Sequence, residues 1–159
     1  MASSSEQQLQ ALELVEVLAS DLSEGQAIRH VRFSGVSMMP MLRQRKDSVE
    51  LIKAPPRLKK YDLPMYMGPR GKYVMHRIVD VKDDHYVCLG DNTYSYERVR
   101  PEQIVAVVNA FYRGERRISV DAPGYRLYCR VWCGLFPVRR LFFRAKNWLR
   151  RHLKCNGSH

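Results

Sequence analysis

Three residues spread over the first part of the chain are of the types that perform hydrolysis: Ser37, His76 and Asp91. A hydroxyl is a weak nucleophile at neutral pH. It needs an adjacent base to take its proton, and the base needs a third group to fix its tautomer. Ser37 lies in Gly35-Val36-Ser37-Met38-Met39-Pro40. Gly35 and Pro40 bracket a turn there, because glycine tolerates positive φ and proline holds φ near −65°. A turn of this kind presents a hydroxyl to a cleft. It equally suits a serine that only bonds nearby backbone. The sequence supplies one residue for each catalytic role and leaves open whether they meet.

The elements that must position these residues read as short strands. Ile28 to Phe33 alternates apolar and polar residues just before the serine turn, and Asp47 to Ile52 does so after it. Leu63 to Met67 is a further strand, which Pro64 confines to an edge or to the strand start. Lys72 to Val81 is rich in β-branched residues and carries His76. A turn at Lys82 to His85 and a second run, Tyr86 to Leu89, complete a hairpin that ends in Gly90-Asp91-Asn92. Thr93 to Arg98 reads as a loop over the site, Ile104 to Val108 as a buried strand, and Ile118 to Asp121 as its returning partner. Frequent turns between short strands predict a mostly β, α+β architecture built on a small barrel-like domain.

Four boxes in this order resemble those of type I signal peptidases and their relatives, the self-cleaving SOS repressors. They are Ser37-Met38-Met39-Pro40, Tyr61-Asp62-Leu63, Met75-His76-Arg77-Ile78-Val79 and Gly90-Asp91-Asn92. The resemblance covers roughly residues 28 to 121. Bacterial signal peptidases and the repressors pair serine with lysine. The endoplasmic-reticulum, archaeal and spore-former branch has histidine at that point, and Met75 to Val79 is similar to that branch. The resemblance implies a signal-peptidase-like β-barrel with Ser37 as nucleophile, His76 as general base and Asp91 as the acid that orients it. Glu97 is the nearest candidate for a second acid. Backbone N–H groups at Ser37 and Met38 are the expected oxyanion donors, because Gly35 stands where bacterial members place a side-chain hydroxyl. Two further departures are Tyr61, at a position usually glycine, and the lack of an apolar spanning segment before Ser37. Lys72, at a strand start beside a glycine turn, is expected to be solvated and protonated, so His76 is preferred as base. His30 and His85 are expected to be exposed.

The rest of the chain divides by composition. Residues 1–26 read as an acidic amphipathic helix without the basic start and apolar core of a secretory leader. Residues 27–121 form the β domain. From Ala122 onward there is no Asp or Glu, while Arg126, Arg130, Arg139, Arg140, Arg144, Lys146, Arg150, Arg151 and Lys154 alternate with Leu, Phe and Trp at helical spacing. This predicts two amphipathic helices broken near Phe136-Pro137. The formal net charge of +11 sits largely on this tail. An anionic membrane surface through residues 122–154, packing on the protein's own domain, and nucleic acid are its three candidate contacts, the first favoured by the aromatic and leucine content. No nucleic-acid-binding motif is present, so no specific nucleic acid is expected. Cys88, Cys129, Cys133 and Cys155 show no Cys-x-x-Cys spacing, so neither a metal site nor a disulfide framework is expected, and no cofactor is required. These features predict a serine endopeptidase acting on a peptide or protein at the cytoplasmic face of a membrane. The alternative is a catalytically inactive membrane-surface scaffold that retains the fold.

Overall fold

Alternating strands need a shared apolar interior, and in the computed structural model they find two. The structure describes residues 26–68 and 71–141. The elements are β1 (Ile28–Arg32), β2 (Asp47–Ile52), β3 (Pro64–Met67), β4 (Tyr73–Met75), β5 (Arg77–Val81), β6 (Tyr86–Leu89), β7 (Glu97–Val99), a 3-10 turn (Pro101–Gln103), β8 (Ile104–Arg113), β9 (Arg116–Ser119) and α1 (Pro123–Gly134). All strand pairings are antiparallel. One sheet runs β1-β2-β8-β3-β4 with β9 added on β8, and a second runs β5-β6-β7.

The strands expected at Asp47 to Ile52 and Tyr86 to Leu89 form at those residues, and Pro64 opens β3 as its missing N–H requires. The run from Lys72 to Val81 is not one strand. It breaks at His76, with β4 in the first sheet and β5 in the second. The fold is therefore mostly β, but the described strands do not close into the expected barrel. β4 pairs only with β3, β1 only with β2, and the chain changes sheets at His76. Glu97, expected in a loop, begins β7.

The buried side chains form two clusters, the second shared by both sheets, since Tyr66 of β3 and Val107 of β8 belong to it. The first contains Met38, Met41, Leu42, Val49, Leu51, Leu63, Ala106, Val108 and Phe111, and the second Leu58, Tyr66, Ile78, Tyr86, Cys88, Val99 and Val107. Met38, Met41 and Leu42 anchor the serine turn directly in the first cluster. The composition change at Ala122 is not a packing boundary, because Tyr125 and Cys129 of α1 belong to the same cluster. The helix starts at Pro123, whose lost N–H costs nothing in the first turn. It ends at Gly134, and helix resumes over residues 136–141 after a turn at Leu135. The acidic helix expected over residues 1–26 and the tail beyond residue 141 lie outside the described residues, save for residue 26.

Truncating a buried aromatic costs about 3–5 kcal/mol through lost burial and a residual cavity. Tyr125→Ala is expected to lower stability by that order in urea unfolding. An effect near zero would mean that α1 is an appendage rather than part of the core.

Candidate active site

The chain at His76 has just left β4 and not yet entered β5, so the imidazole sits at the seam between the sheets. It is 6 % exposed. Its Nδ1 lies 3.1 Å from the Tyr66 hydroxyl and 3.3 Å from Glu97 Oε2. The Tyr66 hydroxyl in turn donates to the same Glu97 oxygen. An Nδ1–H that donates to the tyrosine oxygen, with the tyrosine proton on the carboxylate, satisfies all three groups. That arrangement leaves Nε2 as an acceptor, and Nε2 bonds to no described residue. Burial lowers the pKa of His76 below its usual value, against the opposing pull of Glu97, so the ring is neutral at pH 7. Burial and the neighbouring Glu97 push the Tyr66 phenol far up, so it keeps its proton.

Asp91 does not reach this ring. Its carboxylate is taken by Arg77, with Nε to Oδ1 at 2.9 Å and Nη2 to Oδ2 at 2.7 Å. Arg77 is 0 % exposed and Asp91 3 %. The remaining guanidinium nitrogen donates to the Tyr125 hydroxyl at 2.7 Å and to Cys129 Sγ at 2.9 Å. α1 contributes further bonds to Asp91, the Tyr128 hydroxyl donating to its carboxylate and the Trp132 indole to its carbonyl, each at 3.1 Å, and Arg139 of the helical residues 136–141 donates to the same carbonyl. The role of orienting His76, expected of Asp91, thus falls geometrically to Glu97 through Tyr66. Asp91 instead ties the Gly90–Asn92 turn to β5 and α1.

Ser37 is half-exposed beside buried Met38. Its carbonyl accepts the Asn92 N–H at 2.7 Å, and the Val36 carbonyl accepts Asn92 Nδ2 at 3.2 Å. The Gly90–Asn92 turn therefore holds Ser37 on one side and, through Asp91 and Arg77, the residue after His76 on the other. Gly90 allows the close approach: a Cβ there would lie 2.8 Å from the Ser37 carbonyl oxygen. The Ser37 hydroxyl forms no hydrogen bond to His76 or to any other described residue, and the N–H groups of Ser37 and Met38 donate to none. Those two N–H groups remain able to receive an oxyanion.

Gly35 has φ +114°, as a turn glycine should. Tyr61 has φ +80°, in the left-handed region that favours glycine. Lys72 is exposed at the β3–β4 turn, where its carbonyl accepts the Gly68 N–H. His30 is exposed, while His85 is half-buried and bonds Asp84 at 2.6 Å. A cavity of about 700 Å³ opens between β5–β6 and residues 130–137, walled by Val79, Val87, Leu89, Tyr96, Arg130 and Phe136 among others. Neither Ser37 nor His76 lines it. No cluster of side chains able to hold a metal ion occurs among the described residues. The chain matches no protein-family model and no curated protein.

Tyr66 and Arg77 were missed as site residues in the sequence reading. Alternation along Pro64–Met67 turns Tyr66 inward, and an arginine set in Met75 to Val79 among apolar neighbours is a signal of a buried, paired cation. Removing one partner of a buried ion pair costs about 3–5 kcal/mol, because the other charge is stranded. Asp91→Ala is expected to destabilise by that much in chemical denaturation. Glu97→Gln, whose amide oxygen still accepts from Tyr66, should cost about 1 kcal/mol. Equal losses would contradict the division of labour between the two acids.

Proposed function

We propose that the chain is a serine endopeptidase of signal-peptidase type, its two sheets an opened form of that family's barrel. The observation that carries the reading is the state of His76: a buried, neutral ring engaged at Nδ1 by Tyr66 and Glu97, with Nε2 bonded to no described residue. It stands one residue from the Arg77–Asp91 pair, whose loop also grips the Ser37 backbone.

In this reading Ser37 Oγ attacks a peptide carbonyl as its proton passes to His76 Nε2. The carbonyl oxygen becomes an oxyanion received by the Ser37 and Met38 N–H groups. The C–N bond breaks as the imidazolium returns the proton to the leaving amine. Water, deprotonated by His76, then attacks the acyl-enzyme and frees Ser37. Glu97, through Tyr66, holds the ring orientation and favours the imidazolium that forms in each step. β4 is an edge strand that ends at Met75, beside His76, so an extended peptide can pair with it and bring its scissile bond to the site. The resemblance implies cleavage after small side chains.

The second reading is a catalytically inactive scaffold that keeps the fold. It draws on a Ser37 hydroxyl that bonds to no described residue and on Gly35 in place of a hydroxyl-bearing oxyanion donor. An alkyl fluorophosphonate separates the two. The wild-type protein is expected to be labelled, Ser37→Ala not at all, and His76→Ala at least about 100-fold more slowly, the usual contribution of a general base. The base must be neutral, so labelling should fall as pH drops through the lowered pKa of His76, giving an acid limb with its midpoint below 6.5. Glu97 raises that pKa, so Glu97→Gln should move the limb lower still. Labelling that survives Ser37→Ala would sink the enzyme reading.

A further inference from the structure

α1 was expected to turn its aromatic face to a membrane. In the structure that face is spent inside the protein: Tyr125 and Cys129 are buried, and Tyr128 and Trp132 bond Asp91. The opposite face is apolar as well. Leu127 is 62 % exposed, Val131 53 %, Leu135 46 %, Val138 64 % and Leu141 66 %. Their spacing of four, four, three and three residues makes one continuous aliphatic stripe along α1 and the helical residues 136–141. Exposed Arg126, Arg130 and Arg140 flank it, and no acidic residue follows Asp121. A helix apolar on two faces has two surfaces to cover, and the described residues cover one of them.

We infer that this outward stripe is a docking surface for an anionic lipid bilayer, on which the helix lies in plane. Five aliphatic side chains with no aromatic or amide group among them offer bases neither a stacking face nor a hydrogen bond. They match the acyl boundary, and the flanking arginines match anionic headgroups. No described helix is long and apolar enough to cross a membrane, so the contact is with the surface. The inference does not rest on catalysis. It does place the Ser37–His76 region on a helix fixed to the bilayer, because the inner face of α1 holds Asp91.

Flotation of the full chain with phosphatidylcholine vesicles, with and without one quarter phosphatidylglycerol, tests it. Truncation at Ala122 is unsuitable, since it strips Tyr125 and Cys129 from the core. Leu127→Gln with Val131→Gln keeps the charge and alters only exposed positions. The wild-type chain is expected to float with the anionic vesicles, to be released by salt, and to bind neutral vesicles at least tenfold more weakly. The double variant, with unchanged circular dichroism and melting, is expected to lose at least tenfold in binding. Arg126→Gln with Arg130→Gln should weaken binding and its salt dependence without affecting the fold. Unchanged flotation of the Leu127/Val131 variant would overturn the assignment of this stripe. So would equal binding to neutral vesicles, complete displacement by a short duplex DNA or RNA, or a stable dimer that the variant dissociates while neither form floats.

Discussion

The arrangement depends on one buried ion pair. Arg77 and Asp91 are both withdrawn from water, and a charge pair so placed is tolerable only when its geometry is good and its remaining donors and acceptors are used. Both conditions hold. The carboxylate is gripped by two guanidinium nitrogens, and the third nitrogen is taken by Tyr125 and Cys129. No buried side-chain polar atom among the described residues lacks a partner. Such a pair adds little net stability against an apolar replacement of equal volume. Its value is specification: it allows one mutual placement of β5, the Gly90–Asn92 turn and α1. His76 is the neighbour of one member, and the turn that carries the other binds the Ser37 backbone.

A second, smaller network sets the state of His76. Tyr66 reaches from the first sheet to a histidine at the seam, and Glu97 reaches from the second. The ring is thus oriented by both sheets at once. Burial lowers its pKa and Glu97 pulls the other way, the burial effect being the larger.

Much of the strand order was legible because half-buried strands must alternate and turns must use glycine, proline and polar residues. Asp47–Ile52 and Tyr86–Leu89 follow from that alone. The break at His76 was not legible. Periodicity cannot distinguish one long strand from two that belong to different sheets, and the division is decided by which partners β3 and β6 offer. The two acids were exchanged for a related reason. Asp91 carried the motif, but a fully buried arginine one residue from His76 outcompeted the imidazole for its carboxylate. Of the tail, only α1 and residues 136–141 are described, and the aromatic face of α1, expected at a membrane, packs on the domain, one of the three contacts the sequence left open. Aromatic residues with polar tips suit a buried polar interface as well as a lipid one, and here Tyr125, Tyr128 and Trp132 satisfy Arg77 and Asp91.

The central claim is that Ser37 and His76 act on one another. It is tested most directly by replacing the alcohol with a titratable reporter. In Ser37→Cys, the rate of alkylation by iodoacetamide as a function of pH gives the pKa of the introduced thiol. A thiol paired with an imidazole ionises well below the ordinary value of about 8.5. The account predicts such a depressed value in Ser37→Cys and its return to about 8.5 when His76→Ala is added. The same pKa in both proteins would contradict it.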